Sequence, residues 1–290
     1  MKSSARYIKL WAMMFFILLP APSPAQNGSV LVAAASSMKF AFDELILKFK
    51  KENPDISIKV SYGSSGNFFS QIANGAPYDI FFSADMEYPQ RLKSEGHGHS
   101  DHDVFPYAMG HIVLWLPHDA GMDAEQEKMR SLLNPAVIWL PHDAGMDAER
   151  EKIRSLLNPM TWKIAIANPR HAPYGRAAIE VLKALKVFER VQSRLVMGEN
   201  VSQAAQFAHT RAAQASIIAL SLALTSKMKS TGSFWEIPAE FYQPIDQGHL
   251  ILKGSRNPSA ADSLGRFIAG KRGQKILQRY GFSFPGGESP

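Results

Sequence analysis

Short apolar segments alternate along this chain with segments that have the spacing of an amphipathic helix. Val30–Ala34 is apolar throughout, as in a buried strand, and the alternation of Ile58, Val60 and Tyr62 with polar residues predicts a second strand. Further strands are predicted at Asp79–Phe82, Lys163–Ala167, Ser216–Leu220 and Leu250–Leu252. Alternating strands and helices predict an α/β fold with a largely parallel sheet, in which ligands bind at the carboxyl ends of the strands.

The segments between these strands carry helix signals. Phe42, Leu45, Ile46 and Phe49 have the spacing of one helix face, and Asn53-Pro54 ends that helix. Further helices are predicted after the turn at residues 63–66 as far as Gly75, from Pro173 to about Lys186, from Val201 to Ala213, and from Ala260 to Tyr280.

The first 25 residues have the layout of a secretory signal peptide. A basic start up to Lys9 is followed by the apolar run Leu10–Leu19 and then by the small residues Ser23 and Ala25. We predict cleavage after Ala25 and an exported mature protein. A membrane anchor is the alternative, but the apolar run is about half of the roughly 20 residues that a spanning helix needs.

The middle of the chain contains a near-perfect tandem duplication. Val113–Pro135 and Val137–Pro159 are offset by 24 residues and differ at three of 23 aligned positions. Each copy begins with a strand-like run and continues into a loop and a short helix. Two copies are too few for a solenoid, which needs at least about three repeats. We expect one copy to occupy the native place and the other to bulge outward, because long surface insertions are tolerated.

Charge and cysteine content exclude several function classes. The chain has no cysteine, which rules out disulfides, a thiol nucleophile and Cys-based metal sites. Without the predicted signal peptide it has 29 basic and 26 acidic residues, a net charge of +3 that is too small to indicate a nucleic-acid partner. His97, His99, Asp101, His102 and Asp103 form a local cluster that could bind Zn or Ni weakly, but a solvated loop is the favoured interpretation, because Gly98 and Ser100 make the segment flexible.

Three predicted strand-to-helix turns are candidates for holding an anion. They are Ala35-Ser36-Ser37, Gly63-Ser64-Ser65-Gly66 and Pro173-Tyr174-Gly175. Each places backbone N–H groups at a helix N-terminus, where unpaired donors and the helix dipole attract negative charge. The alternative is that these serines only cap helices, which serine commonly does at such positions.

Four longer runs of sequence carry a resemblance to a known family. In chain order they read VLVAAASSMKFAFDEL, VSYGSSGNFFSQIANGAPYDIFFSADMEYPQRL, IAIANPRHAPYGRAAIEVL and QRYGF, and together they span nearly the whole mature chain. They resemble the periplasmic molybdate-binding proteins of molybdate ABC importers. GAPYDIFFSAD and ANPRHAPYGRAA are the specific segments. The resemblance implies a two-lobed periplasmic-binding-protein fold of type II, in which each lobe is a mixed, mostly parallel sheet flanked by helices.

The resemblance also implies which residues bind the oxoanion. Matching the family's motifs to this sequence gives five ligand residues, namely Ser36, Ser37, Ser65, Tyr174 and Val201. Tyr174 and Val201 would contribute backbone N–H groups. Some family members have a further tyrosine at the end of a later strand, where this sequence has Ala219, and Tyr174 is the residue expected to compensate. No cofactor and no direct cation ligand are expected, because the metal arrives as an oxoanion.

The two lobes implied by the resemblance are discontinuous in sequence. Lobe 1 is predicted at residues 26–108 together with 237–290, and lobe 2, which contains the tandem repeat, at residues 109–236. A bound anion would bridge the lobes and favour their closure, a hinge motion used by periplasmic binding proteins.

The expected function is that of a monomeric periplasmic substrate-binding protein. It would capture molybdate or tungstate and deliver it to an inner-membrane ABC permease, without catalysing a reaction. The alternatives are a binding protein for another tetrahedral oxoanion such as sulfate, and a variant whose binding the duplication impairs. A serine hydrolase would need a serine beside a histidine and an acid, and Asn67 replaces the final glycine of G-x-S-x-G.

Overall fold

The computed structural model describes residues 28–118, 155–157 and 163–284. The predicted signal peptide with its cleavage after Ala25 and most of the two repeat copies lie outside the described residues. Within the described ranges, no helix is both long enough and apolar enough to cross a bilayer.

The described residues form two sheets of five strands each. The strands in chain order are β1 (Ser29–Ala35), β2 (Ser57–Gly63), β3 (Ile80–Ser83), β4 (Phe105–Gly110), β5 (Ile112–Pro117), β6 (Ile164–Ala167), β7 (Leu195–Gly198), β8 (Ala215–Ala219), β9 (Gly232–Glu236) and β10 (Ile245–Ile251). The first sheet has the order β2-β1-β3-β10-β4, and the second has the order β7-β6-β8-β5-β9.

Each sheet contains one strand that runs against the other four. In the first sheet, β1 is parallel to β2 and β3, while β10 is antiparallel to β3 and β4. In the second sheet, β6 is parallel to β7 and β8, while β5 is antiparallel to β8 and β9. The prediction of an α/β fold with mixed, mostly parallel sheets is confirmed.

Helices connect the strands and pack on the sheets. In chain order they are α1 (Lys39–Glu52), α2 (Ser65–Ala73), α3 (Glu87–Ser94), α4 (Pro173–Ala184), α5 (Phe188–Val191), α6 (Val201–His209), α7 (Leu220–Ala223), α8 (Ser226–Thr231), α9 (Pro258–Ala269) and α10 (Lys271–Arg279). Short 3-10 turns lie at Ser36–Met38, Ser155–Leu157, Gln192–Arg194 and Ala239–Phe241.

The helix α1 buries the face that carries its apolar residues. Phe42, Leu45 and Phe49 are buried against the first sheet, whereas Leu47 on the opposite face is 65% exposed. The ring of Phe42 meets that of Phe82 on β3 edge-on, with centroids 5.0 Å apart. Burial of each such side chain contributes about 1.5–3 kcal/mol, so the stripe read from the sequence fixes the helix to the sheet.

The chain leaves the first sheet once and returns to it once. Strands β5 to β9 all belong to the second sheet, and β10 completes the first. We refer to the first sheet with its helices as lobe 1 and to the second sheet with its helices as lobe 2. The predicted boundary between residues 108 and 109 falls inside β4, and the boundary positions remain predictions.

Two predicted helix ends are wrong. The single helix predicted for 260–280 is two helices, α9 and α10, because Gly270 has an extended backbone (φ −78°, ψ 167°) and caps both. The helix predicted to reach Ala213 ends at His209, because Arg211 adopts a left-handed backbone with φ 62°. The strand predicted at residues 250–252 is the end of the longer β10.

The described residues draw on both copies of the repeat. Val113–Pro117 of the first copy lies in β5, with Trp115 fully buried. Ser155–Leu157 of the second copy forms a 3-10 turn, and Leu156 is fully buried in the core of lobe 2. Within the described residues, the first copy supplies a strand and the second supplies a turn, and the expectation that one copy occupies the native place stays a prediction.

Candidate functional site

Four helix starts meet where the parallel strands end. In lobe 1, β1 leads into the 3-10 turn at Ser36–Met38 and β2 leads into α2. In lobe 2, a short loop joins β6 to α4, and β7 is followed by α6. The first backbone N–H groups of each helix have no partner within the helix. The fold therefore brings the first N–H groups of helices from both lobes to one place, as expected for the carboxyl edge of such sheets. Two of these groups, Gly66 N and Ser202 N, donate across to the other lobe.

A small cavity lies between these helix starts. The residues that line it come from both lobes and include all five predicted ligand residues, the full set being Ala35, Ser36, Ser37, Gly63, Ser64, Ser65, Ala84, Ala172, Pro173, Tyr174 and Val201. The centre of a water molecule can occupy about 10 Å³ of this space, which is room for about one water. We call these eleven residues the cradle. That the five residues bind an oxoanion stays a prediction.

The serine hydroxyls of the cradle retain protons to donate. Ser65 is fully buried, and its Oγ accepts a hydrogen bond from Ala84 N at 2.9 Å. The Oγ of Ser36 accepts from Ser202 N at 3.3 Å. The Oγ of Ser37 is buried and makes no hydrogen bond of good geometry within the described ranges, although it lies near enough to the Tyr174 hydroxyl to oppose the rise in the pKa of that group. A buried polar group without a partner costs free energy, so Ser37 is the group that a ligand would satisfy.

Lobe 2 contributes backbone donors from helix starts. Pro173 is the first residue of α4, a position where proline is preorganised for the helix and its missing N–H costs nothing. The next N–H along the chain is that of Tyr174. Val201 is the first residue of α6, and Asn200 caps that helix by accepting from Gln203 N at 3.1 Å. The cap satisfies Gln203 N, and Ser202 N donates to Ser36 Oγ of lobe 1.

The side chain of Tyr174 lies at the junction of the two lobes. Its hydroxyl accepts a hydrogen bond from Gln247 Nε2 on β10 at 2.9 Å. Gly110 provides the room, since a Cβ there would lie 2.2 Å from the Tyr174 hydroxyl oxygen. Burial raises the pKa of Tyr174, so the hydroxyl keeps its proton. Ala219 is fully buried at the end of β8 and is not among the cradle residues.

His171 joins the two lobes beside the cradle. Its carbonyl oxygen accepts from Gly66 N at 2.8 Å, and its Nδ1 lies 2.9 Å from Ser64 Oγ. Its Nε2 lies 3.9 Å from Glu199 Oε2, and Glu199 also accepts a hydrogen bond from Asn67 of lobe 1. The sequence analysis did not select His171, because its lobe 1 partners, Ser64 and Gly66, are more than 100 residues away.

Two further serines of lobe 2 bond directly to the serine turn of lobe 1. Ser202 Oγ donates to Ser36 O at 2.9 Å, and Ser221 Oγ donates to Ser37 O at 2.8 Å. Both follow the start of a helix, α6 or α7. For Ser202, the available signal is a serine just inside the helix start predicted at Val201. Ser221 has no such signal, because Leu220 is predicted to end a strand. Together with His171 they hold the lobes in contact around the cradle.

An ion pair spans the lobes next to the cradle. Arg176 on α4 donates to Asp85 Oδ2 at 2.5 Å and to the hydroxyl of Tyr88 at 3.3 Å. Asp85 Oδ1 accepts from Tyr88 N at 3.1 Å and from Ser83 Oγ at 3.2 Å, which fixes the carboxylate to lobe 1. Burial raises the pKa of Asp85, an effect that Arg176 opposes. The pair therefore ties α4 to the start of α3.

The histidine-rich loop near residue 100 does not assemble a metal site. Over the described ranges, no group of three or more His, Asp or Glu side chains is placed to hold an ion. Lys93 Nζ donates to the carbonyl oxygens of His99 at 2.8 Å and of His102 at 2.7 Å. These two hydrogen bonds from Lys93 hold the loop in its position.

Comparison with known proteins shows to which family this chain belongs. The sequence pattern of the family described as "Bacterial extracellular solute-binding protein" matches residues 30–283. The chain belongs to this family.

Relatives of this solute-binding protein include two that are named molybdate-binding protein ModA. That of Azotobacter vinelandii is 33% identical over 259 residues, which is 89% of this chain and 91% of the relative. That of Rhodobacter capsulatus is 32% identical over 259 residues, which is 89% of this chain and 90% of the relative. The solved structure of the Azotobacter vinelandii periplasmic molybdate-binding protein has a TM-score of 0.70 at 29% identity, covering 88% of this chain and 99% of that one. The expected type II periplasmic-binding-protein fold is confirmed.

Proposed function

We propose that this solute-binding protein captures molybdate or tungstate in the periplasm and delivers it to an ABC permease in the inner membrane. The observation that carries the proposal is the cradle, in which hydroxyl and N–H donors from both lobes surround one small space. The two relatives named as molybdate-binding proteins support the same ligand. The predicted export signal supports the same location.

The chemistry of the cradle fits an oxoanion without a proton. Among the described residues that line it, none carries a charged side chain. Hydroxyl and N–H donors stabilise negative oxygen atoms at helix N-termini. A ring of neutral donors has no salt bridge to break, so the anion can leave again when the lobes separate.

The five ligand residues have separate roles in this proposal. Ser36, Ser37 and Ser65 donate from lobe 1, while Tyr174 and Val201 donate backbone N–H groups from lobe 2. The hydroxyl of Tyr174 replaces the tyrosine that some family members have where this chain has Ala219. A tetrahedral oxoanion is larger than a single water, so the lobes must part to admit it and then close on it.

Isothermal titration calorimetry of the mature protein tests the function. We expect tight, one-to-one binding of molybdate and tungstate, with sulfate and phosphate as controls. Preferential binding of sulfate would overturn the choice of ligand while keeping the class. The absence of binding by all four anions from a protein that unfolds cooperatively would overturn the proposed function. A monomer in both states is expected by size-exclusion chromatography with light scattering.

The contact between Ser64, His171 and Glu199 raises ester hydrolysis as a second candidate function. A catalytic triad needs hydrogen bonds between all three members, and the 3.9 Å from His171 to Glu199 is too long for one. Ser64 is also 4% exposed in a cradle with room for about one water. We infer that the chain binds its solute and performs no chemistry on it. Ester hydrolysis that disappears in Ser64→Ala would contradict this.

A further inference from the structure

A second, larger cavity lies between the lobes beside the cradle. Its volume is about 580 Å³, against about 10 Å³ for the cradle. We call it the outer chamber and define it by six of its lining residues, which are Ser36, Lys39, Tyr62, Ser202, His209 and Lys227. The first three belong to lobe 1 and the others to lobe 2, so the chamber is formed only where the two lobes face each other.

The charge of the outer chamber has one sign. Lys39 begins α1 in lobe 1, and Lys227 lies on α8 in lobe 2, so each lobe supplies one ammonium group. Of the described residues that line the chamber, none is an aspartate or a glutamate. Asp43 is not among the lining residues, and its Oδ1 accepts a hydrogen bond from the hydroxyl of Tyr62 at 3.0 Å. The chamber therefore presents a positive potential to solvent.

The outer chamber and the cradle share a wall. Ser36 lines both cavities. Ser202 lines the chamber and bonds to Ser36 twice, through its N–H and through its hydroxyl. The contact between these serines therefore separates the space that holds two lysines from the space that holds only neutral donors.

We propose that the outer chamber marks the access route of the oxoanion: Lys39 and Lys227 flank the cleft, one on each lobe, and attract the anion while the lobes are apart, before the Ser36–Ser202 contact closes and the anion lies in the cradle. This inference rests on the proposed function. Clefts that are lined by charge of one sign raise the association rate of an oppositely charged ligand and lose that effect in salt. Placing the charge outside the cradle speeds capture without holding the bound anion by a salt bridge.

The test compares two double variants that remove the same charge. Lys39→Gln with Lys227→Gln empties the chamber of its ammonium groups. Lys163→Gln with Lys253→Gln is the matched control, because Lys163 precedes β6 and Lys253 follows β10, at the ends of the sheets opposite the cradle. All four lysines are exposed or partly exposed. Association and dissociation rate constants for molybdate are measured by stopped-flow tryptophan fluorescence, or by kinetic calorimetry, at low and high ionic strength.

We expect the chamber variant to associate about three- to tenfold more slowly than the wild type at low salt. The difference should shrink at high salt, and the dissociation rate should stay the same. Equal slowing in both double variants would overturn the proposal, because net charge alone would then explain the effect. A change confined to the dissociation rate would overturn it too. If the wild type binds molybdate and the variants behave alike, only the access route fails; if the wild type binds no oxoanion, the proposed function fails with it.

Discussion

At the scale of single residues, variants of Ser37 and Ser65 are expected to differ in their effect on stability while both weaken molybdate binding. The Oγ of Ser37 is buried without a hydrogen bond of good geometry, its nearest polar neighbour being the Tyr174 hydroxyl, so Ser37→Ala removes a group that costs the free protein energy. We expect it to leave the melting temperature unchanged or raised, and to weaken molybdate binding by about 1–3 kcal/mol. The Oγ of Ser65 accepts from Ala84 N, so Ser65→Ala should weaken binding similarly and also lower the melting temperature. Calorimetry and thermal melts measure both quantities.

The contrast between the two variants makes this prediction falsifiable. Unchanged molybdate affinity in Ser37→Ala would remove Ser37 from the site, and the same result in Ser65→Ala would remove Ser65. Ser70→Ala is the control, since its hydroxyl donates to Gly66 O within α2 and does not line the cradle. It should leave the affinity for molybdate as it is.

His249 is a residue whose burial should make lobe 1 sensitive to acid. It lies on β10 at 7% exposure, its Nδ1 has no hydrogen-bond partner within the described ranges, and the rings of Phe82 and Phe105 lie against it. Burial lowers its pKa from 6.5 to about 4, with Asp262 opposing the shift and His102 adding to it. The unfolded chain then binds a proton that the folded chain does not. Stability contributed by neutral His249 is complete above pH 6.5 and is lost as the pH falls towards 4.

The expected loss of unfolding free energy over that pH range is about 3 kcal/mol. Urea unfolding at several pH values measures it. His249→Gln should flatten this part of the pH profile, whereas His97→Gln, in a surface loop, should not. An unchanged pH profile in His249→Gln would show that other groups cause the acid sensitivity.

At the scale of elements, the sequence predicts those whose pattern follows from burial alone. The strand β1 and the helix α1 are examples, because an apolar run and a helical stripe need only one buried face each. The strand β10 is predicted only at its end, because Gln247 interrupts its apolar pattern. Gln247 is fully buried and bonds to Tyr107 and Tyr174. In the sequence alone, such a polar residue indicates a loop. Its place in a buried strand depends on hydrogen bonds to two other elements, which the sequence does not show.

The same limit applies to the candidate site. The serine turns can be found because a strand, a serine pair and a helix start are neighbours in sequence. The pairing of Ser64 with His171 cannot, because 107 residues separate them and the contact depends on how two lobes meet. Sequence therefore predicts which segments form each half of the cradle, whereas the contacts between the halves require the structure.

The repeat yields a prediction at the same scale. Deleting residues 119–142 joins β5 of the first copy to the turn at Ser155–Leu157 of the second, and so restores one continuous unit. We expect cooperative folding, unchanged molybdate affinity, and a gain of up to about 1 kcal/mol in unfolding free energy from the shorter segment of chain between β5 and Ser155. Calorimetry and urea unfolding measure these.

The tandem repeat offers a matched control for this deletion. Deleting residues 113–136 leaves a chain that differs from the first deletion only by isoleucine in place of Leu114. Both deletions should give the same stability and the same affinity for molybdate, because the two shortened chains differ at one position only. Loss of cooperative unfolding in both would mean that the fold has come to depend on the presence of two copies.

At the scale of the whole molecule, the two lobes touch through bonds that need no ligand. The contacts between Ser202 and Ser36 and between Gly66 and His171 close the lobes around a cradle with room for about one water. A ligand can shift such an equilibrium only by its different affinity for the open and closed forms. Hydrogen bonds between the lobes stabilise the closed form even without ligand. They therefore reduce the free energy that ligand binding must supply to close the lobes, and this raises the affinity.

The ion pair of Arg176 with Asp85 allows this balance to be tested. The side chains are 35% and 13% exposed, so solvent screens the pair only in part. We expect Arg176→Gln to favour the open form and to weaken molybdate binding by about 1 kcal/mol, roughly fivefold. Small-angle scattering of the free protein should show a larger radius of gyration. Arg266→Gln, which breaks the pair with Asp262 within lobe 1, should change neither quantity. If Arg176→Gln left both the scattering and the affinity unchanged, the cradle and the remaining hydrogen bonds would be sufficient to close the molecule.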